Sequence, residues 1–250
     1  KIDTIRKISK NLINTESEDS QELLEPWIQW HSIHTGCTAK EHGIFRLGDA
    51  IKSNKKQIFE ELEIDGIKVG SICAMNTFNN LKNPSYFIPD PWTNTKSDNS
   101  FFSKIITSVL KDTVNNNASG NFLIKNYIYL ILIFFRYVRI KKYSLFFKIF
   151  YKSFFGKWRK ALFLDLLIHE IHFDLLNKFK PNFSCVFFNA GAHIQHHYLL
   201  NSLANISNIK NPENILKKKE DPFRETLIIY DSILKDYFNS EKNIVIATGL

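Results

Sequence analysis

The sequence predicts an α/β fold, a three-layer sandwich with a mainly parallel sheet and a helical, aromatic-rich cap insertion. Two short apolar runs, 67–75 and 183–188, have the β-branched and aromatic content of buried strands. Segments with helical character separate them, an order typical of parallel sheets whose two faces are covered by helices. With 250 residues the chain can also bury a substantial core.

Further elements follow from the same patterns along the chain. The helices predicted in order are Asp49 to about Leu62, Phe101–Val114, Ala161–Lys178 and Pro222–Phe238. A third strand is predicted at Asn243–Ala247. Because the chain stops soon after this strand and does not begin with Met, we expect it to be a fragment of a longer protein.

Residues 1–75 and 161–250 are predicted to form the two parts of the α/β core, and 76–160 the cap inserted between them. Within the cap, the apolar run Tyr127–Phe135 is too short to span a bilayer. The basic, aromatic stretch that follows, 136–160, has two interpretations. It packs its aromatic side chains inward as part of the cap, or it lies on a membrane surface.

Charge and cysteine content limit the classes of partner. The net charge is +8, but no nucleic-acid-binding motif accompanies it, so no nucleic-acid partner is expected. Part of the excess lies in Lys217–Lys219. The three cysteines, Cys37, Cys73 and Cys185, lack metal-ligand spacing and are expected to be reduced and mostly buried. Unpaired cysteines and the absence of a signal peptide favour the cytoplasm.

A turn of small residues follows the strand predicted at 183–188, and histidines follow the turn. Asn189 and His193 lie where open α/β sheets gather their functional side chains, although a structural role is the alternative for both. His196 and His197 point in different directions, so at most one of them joins a site. Imidazoles here are candidate metal ligands or proton carriers.

Two other regions carry candidate residues. The segment Pro26–Gly43 is rich in aromatic residues and histidines and contains His31, Ser32 and the Thr35 turn. The loop containing Asp90 and Trp92 is stiffened by prolines, and it either shapes a pocket or forms a solvent-facing turn. By contrast, leucines surround His169 and His172 on their predicted helix, which favours a structural role for that pair.

Residues 32–44, SIHTGCTAKEHGI, resemble the stretch S-x-x-T-G-L-x-P-x-x-H-G-I of type I phosphodiesterases and nucleotide pyrophosphatases, which belong to the alkaline phosphatase superfamily. Asn189 and His193 fall where that family carries a D-x-x-x-H pair. The segment Leu227–Tyr237 is similar to the family's next helix. Asn243–Leu250 is similar to the strand that leads into its S-D-H-G motif.

The resemblance implies a two-metal hydrolase, usually with zinc, in which a Thr or Ser nucleophile attacks phosphorus or sulfur. Several family positions carry other residues in this sequence. Pro26 stands near the nucleophile position, and Asn189 replaces a carboxylate. Thr248 and Gly249 stand at the last D-H pair. His193 is the ligand that matches the family pattern.

The sequence therefore predicts a divergent alkaline-phosphatase-like hydrolase of phosphate esters, such as phosphodiesters, or sulfate esters, acting on a small-molecule, glycan or nucleotide ester. The predicted catalytic residues are His193, His31 and Ser32, and the predicted substrate-binding residues are Asn189, Asp90, Trp92 and Thr35. A divalent metal, zinc by resemblance, is expected at Asn189, His193 and His196. The alternatives are a catalytically inactive scaffold that binds an anionic ligand and a membrane-surface protein.

Overall fold

A computed structural model of the chain describes residues 2–16, 20–115, 123–212, 220–240 and 243–248, and it shows an α/β protein. The strands are β1 (Val69–Ile72), β2 (Tyr86–Ile88) and β3 (Phe183–Val186). The helices are α1 (Asp3–Ile8), α2 (Pro26–Thr35), α3 (Ala39–His42), α4 (Ile58–Ile64), α5 (Phe101–Asn115), α6 (Ile124–Tyr137), α7 (Tyr143–Ser153), α8 (Arg159–Phe179), α9 (Ala190–Tyr198) and α10 (Pro222–Phe238). Short 3-10 turns occur at Ser9–Asn11, Gln21–Leu23, Asp49–Lys52, Ile140–Lys142 and Leu199–Asn201.

The chain divides into two compact units. Unit 1 comprises residues 1–14, 138–170 and 188–246, and unit 2 comprises 15–137, 171–187 and 247–250. The sheet belongs to unit 2, and the division falls within helix α8. The strand β2 lies inside the segment 76–160 that the sequence predicts to be a cap, so part of that segment contributes to the sheet. The cap boundaries themselves stay a prediction.

The sheet has the order β2-β1-β3, with both pairings parallel. Gly70 of the central strand is paired with Tyr86 on one side and with Ser184 on the other. Because Gly70 has no side chain, the Tyr86 ring lies over the central strand, and its hydroxyl is 2.7 Å from Ser184 Oγ. A Cβ at position 70 would overlap the Tyr86 ring.

Helices of unit 2 contact both faces of this sheet. On the face of Gly70, His172 of α8 places its Nε2 2.7 Å from Ser184 Oγ. On the opposite face, Phe59 of α4 packs with Val69 in a buried cluster that Phe183 also joins. Successive side chains of a strand point to opposite faces, so the neighbouring residues Val69 and Gly70 serve the two layers separately.

Unit 1 is held together by helix packing and by buried ion pairs. Asp231 of α10 accepts a hydrogen bond from the Ile5 amide of α1 at 2.8 Å. Arg159 at the start of α8 is 2.9 Å from a carboxylate oxygen of Glu225 on α10. Since Arg159 is almost fully buried, its charge depends on this carboxylate for compensation.

Most predicted helices are confirmed, but the helix predicted from Asp49 to Leu62 is wrong. A 3-10 turn ends at Lys52, and α4 begins only at Ile58. Ser53 has an extended backbone, and Gln57 and Glu60 form a capping box that starts the new helix. The strands predicted at 67–75 and 183–188 are confirmed and are shorter than predicted.

The strand predicted at Asn243–Ala247 is also wrong. Residues 243–248 form no strand, and the Val245 side chain is 94% exposed. A strand requires a hydrogen-bonded neighbour, and the described part of the chain places none beside this segment. Lys217–Lys219 and Gly249 lie outside the described residues. None of the described helices is long and apolar enough to cross a bilayer.

None of the three cysteines, all of which lie in the described part of the chain, forms a disulfide. Cys73 is buried, whereas Cys37 and Cys185 are partly exposed, so the expectation of reduced cysteines is confirmed and that of burial only in part. Burial of the thiol raises the pKa of Cys185 to about 12, which keeps it protonated at neutral pH.

Gly70→Val is expected to lower the free energy of unfolding by about 1–3 kcal/mol, because the new side chain would overlap the Tyr86 ring. Urea unfolding measures the loss. The same substitution made in a Tyr86→Leu chain should cost less, since the ring that it meets is gone. An equal loss in both backgrounds would contradict this account of the central strand.

Candidate functional site

The carboxyl ends of β1 and β2 lead into loops that carry fully buried polar residues. Asn76 follows β1 and Asp90 follows β2, and neither side chain is exposed. Because parallel strands bring their carboxyl ends to one edge of the sheet, the two residues meet there. The Asn76 amide donates a hydrogen bond of 3.0 Å to Asp90 Oδ2. This edge of unit 2 is therefore one place where polar side chains converge.

The Asn76 side chain connects the chain segments that surround this edge. Its Nδ2 donates to the carbonyls of Trp27 and Arg46 at 2.9 and 3.4 Å. Its Oδ1 accepts from the amides of Gly48 and Ala50 at 2.9 and 3.3 Å. The backbone of Asn76 is left-handed, with φ of 52°, a conformation that asparagine tolerates better than most residues. Asn76 thus fixes helix α2 against the end of β1.

Asp90, a predicted substrate ligand, uses both of its oxygens within its own loop region. Oδ1 accepts from the amides of Trp92 and Thr93, each at 2.8 Å. Oδ2 accepts from the Thr93 hydroxyl at 2.7 Å and from Asn76. Burial raises the pKa of Asp90, and these hydrogen bonds oppose the rise. Its contacts, and those of Trp92, are those of a loop anchor; the substrate-binding role of both stays a prediction.

His31 points from α2 into the same edge and is fully buried. Its Nδ1 is 3.1 Å from the carbonyl oxygen of Asn76. A carbonyl oxygen only accepts, so Nδ1 carries the proton and Nε2 keeps a free lone pair. Nε2 is buried and has no hydrogen-bond partner among the described residues. Burial lowers the pKa of His31, which keeps the imidazole neutral at pH 7.

Ser32 and His42 form a second hydrogen-bonded pair beside His31. Ser32 Oγ is 2.9 Å from His42 Nε2, and the rings of His31 and His42 meet edge to face at 4.8 Å. The Ile44 amide donates to His42 Nδ1 at 3.0 Å. The left-handed backbone of Gly43, with φ of 68°, turns the chain so that this amide reaches the ring.

The tautomer of His42 follows from this contact. Nδ1 accepts from Ile44, so Nε2 carries the proton and donates to Ser32 Oγ. Burial, and secondly the nearby His31, lower the pKa of His42 to about 4. His42 is therefore a neutral hydrogen-bond donor at pH 7. The hydroxyl proton of Ser32, which is only partly buried, is left available for an acceptor oxygen.

Thr35, predicted to bind substrate, bonds within its own helix. Its hydroxyl donates to the His31 carbonyl at 2.8 Å, one turn earlier in α2. His34, on the same helix, packs its ring against Trp30 and Phe59 at 6.0 and 5.4 Å. Burial lowers the pKa of His34 to about 4, with His31 as the second cause.

In unit 1 the backbone amides at the start of α9 are hydrogen-bonded to side chains from α8 and α10. Asp165 of α8 is buried and accepts from the amides of Asn189 and Ala190 at 3.3 and 2.9 Å. The Tyr230 hydroxyl donates to Asp165 at 2.6 Å and accepts from the Gly191 amide at 2.7 Å. Burial raises the pKa of Asp165 to about 6. The amides that would attract an anion at a helix N-terminus already have partners.

The histidines of α9 are exposed, and the structure pairs His193 with His197 rather than with His196. The two rings lie 4.7 Å apart, one turn apart on the helix. Partial burial lowers the pKa of His193, and the neighbouring imidazoles of His197 and His196 lower it further. The predicted residues therefore fall into two groups: His31, Ser32, Thr35, Asp90 and Trp92 in unit 2, and Asn189, His193 and His196 in unit 1.

The residues present do not fit the two-zinc centre that the resemblance implies. Asn189 has a neutral amide, and the carboxylate nearest to its backbone, Asp165, is bonded to α9. Thr248 lies in an exposed segment without regular structure. Pro26 is the first residue of α2 and offers neither a hydroxyl nor an amide proton. Zinc sites need three or four deprotonated ligands, and these positions do not supply them.

A cluster of His169, Glu170 and Asp236 in unit 1 also has ligand atoms close together. Cations already compensate its carboxylates. Arg139 is 2.6 Å from Asp236 and bonds to Glu170, and Lys142 is 3.0 Å from Asp236. A partly buried guanidinium between two carboxylates forms an ion-pair network, which we regard as structural.

No family model, curated protein or solved structure matches this chain. The geometry and the sequence motifs therefore carry the functional argument.

Acidification from pH 6.5 to about pH 4 is expected to destabilise the fold through His34. In this range the unfolded chain binds a proton at His34 and the folded chain does not. The free energy of unfolding therefore decreases as the pH is lowered, by about 3 kcal/mol for the full shift in the pKa. Urea unfolding of the natural chain and of His34→Phe across this range measures the effect. The phenylalanine chain should lose less stability, and parallel curves would contradict the prediction.

A zinc ion is expected to bind only weakly to His193 and His197, because imidazoles at i and i+4 share one helix face but supply only two of the ligands that a tight site needs. At about ten times the dissociation constant, the ion should add about 1.4 kcal/mol to the free energy of unfolding. His197→Ala should abolish both the stabilisation and the heat of zinc binding at pH 7.5 (about one unit above the ordinary pKa of histidine). His196→Ala is the matched control and should leave both unchanged. A larger loss of zinc binding in His196→Ala than in His197→Ala would favour His193 and His196, which the sequence predicts as ligands together with Asn189.

Proposed function

We propose that this chain binds a phosphate or sulfate ester at the edge of the sheet in unit 2 and hydrolyses it. The hydrogen-bond chain from the Ile44 amide through His42 to Ser32 carries the proposal. It ends at the Ser32 hydroxyl, which accepts a hydrogen bond from His42 and keeps its own proton to donate to a ligand. Such chains strengthen the last donor, and a hydroxyl of this kind suits an anionic oxygen.

The roles within the site follow from burial. Ser32 is the member that a ligand can reach, so its hydroxyl would contact a non-bridging ester oxygen and stabilise the charge that develops there. His42 would act through Ser32 as a positioning residue. His31 lies behind them with a free Nε2 lone pair, and Asn76 holds it in place. The proposed site therefore consists of Ser32, His42 and His31.

We also propose that the three strands belong to an alkaline-phosphatase-like three-layer sandwich, and that the part of 76–160 outside β2 provides its cap. The parallel order of the strands and the helices on both faces of the sheet support this. The partner would be a small-molecule, glycan or nucleotide ester. A divalent ion, if the reaction uses one, would have to find ligands other than those of the family pattern.

A second candidate function is binding of an anionic ligand without hydrolysis. The state of His42 favours it, because a neutral imidazole with a pKa of about 4 is a weak general base at pH 7. The two functions share the Ser32 contact and differ in turnover.

Calorimetry with phosphate and sulfate esters, together with turnover of the corresponding nitrophenyl esters, tests both functions. Ser32→Ala is expected to weaken binding about 10- to 100-fold, the effect of losing a hydrogen bond to a charged group. Thr35→Val removes a hydroxyl from the same helix that already bonds to the backbone, and it should change affinity less than about twofold.

Binding with turnover would support the hydrolase, and binding without turnover would support the second candidate. Equal affinities for Ser32→Ala and the natural chain would remove Ser32 from the site and reject both.

A further inference from the structure

Helix α7 of unit 1 presents a set of exposed aromatic side chains. Its inward side is formed by Phe146, Ile149 and Ser153. Five aromatic residues in and just after the helix are between 53% and 72% exposed, and we call them the aromatic face: Phe147, Phe150, Tyr151, Phe154 and Phe155. So many large apolar side chains in one exposed helix indicate an interaction surface.

The members of the aromatic face are neighbours on the helix. At about 100° per residue, the three members within α7 fall within one arc of about 100°, and Phe154, directly after the helix, keeps a right-handed helical backbone. Phe150 and Phe154 meet edge to face at 5.3 Å, and Tyr151 meets Phe155 at 5.5 Å. These contacts between successive turns make the face one continuous apolar surface that is already ordered.

The charge around the aromatic face has one sign. Residues 138–160 contain eight Lys and Arg residues and no Asp or Glu. Arg139, Lys142 and Arg159 are paired with carboxylates within unit 1. The other five take part in none of the ion pairs among the described residues. We call them the flanking lysines: Lys141, Lys148, Lys152, Lys157 and Lys160.

We propose that the aromatic face docks on an anionic phospholipid surface, with the flanking lysines bound to lipid headgroups. Aromatic side chains partition to the boundary between headgroups and acyl chains, and Lys residues beside them are attracted by the negative surface potential. The helix would lie in the plane of the interface and would not cross the bilayer.

Charge complementarity selects this occupant over a second copy of the chain. Two aromatic faces packed against each other would bring two sets of flanking lysines together, and no carboxylate lies within 138–160 to compensate them. An anionic bilayer supplies both an apolar phase for the rings and negative charge for the lysines. The proposal does not depend on the ester site in unit 2.

Flotation of the full chain with lipid vesicles tests the proposal, in about 0.15 M salt, where the screening length is near 8 Å. We expect binding to vesicles that contain about 30% phosphatidylserine and none to pure phosphatidylcholine. A Phe154→Trp chain reports insertion, since its fluorescence should shift to the blue and be quenched by brominated acyl chains.

Two variants separate the charges from the rings. Lys148→Glu combined with Lys157→Glu and Lys160→Glu should weaken partitioning about 100-fold or more. Phe154→Ser with Phe155→Ser should weaken it about 10-fold or more. The matched control reverses three exposed lysines elsewhere, Lys10, Lys68 and Lys104, and changes net charge equally. This control should retain at least about half of the binding of the natural chain, because charges far from the aromatic face are largely screened from the lipid headgroups.

Circular dichroism and unfolding curves confirm that each variant folds, and a variant that does not fold is replaced by the single substitution Lys148→Glu or Phe154→Ser. Three outcomes would overturn the proposal: no binding by the natural chain, equal binding to both kinds of vesicle, or an equal loss in the control. Self-association relieved by Phe154→Ser with Phe155→Ser, without vesicle binding, would assign the face to a second copy and also overturn it.

Discussion

The side chain of Asn76 is the constraint on which the arrangement of unit 2 depends. One buried amide group satisfies four backbone groups, two carbonyls and two amides, that come from two separate stretches of chain, helix α2 and residues 46–50. Its own backbone groups hold Asp90 and His31. A buried polar group that lost one of these partners would carry an uncompensated desolvation cost of about 1–3 kcal/mol. The end of β1, the loop after β2 and helix α2 are therefore positioned together or not at all.

This constraint gives the site its chemical character. Helix α2 is held so that His31 and His34 face the interior, and burial is the first cause of the lowered pKa values of these two residues and of His42 on α3. Neutral imidazoles orient hydrogen bonds without adding charge. The arrangement resembles a binding edge with fixed donors more than a set of proton carriers that change state at pH 7.

Local signals in the sequence predicted the elements that depend on local interactions. Helix α10 begins where Asp221 caps it, and its apolar spacing is helical throughout. The short strand β2 was not predicted, because three residues between prolines show no period. Asn243–Ala247 has the composition of a strand but no neighbour. The role of Asn76 could not be predicted from the sequence, because an Asn just past a strand is common and its partners are distant in sequence. Likewise, spacing alone could not decide between His196 and His197 as the partner of His193.

The Asp165 carboxylate at the start of α9 has a consequence for what this helix end can attract. Asp165 bonds to the amides of Asn189 and Ala190, and the Tyr230 hydroxyl bonds to that of Gly191. The positive end of the helix dipole is therefore neutralised from within the fold. An anion from solution would have to displace a buried carboxylate before it reached these amides.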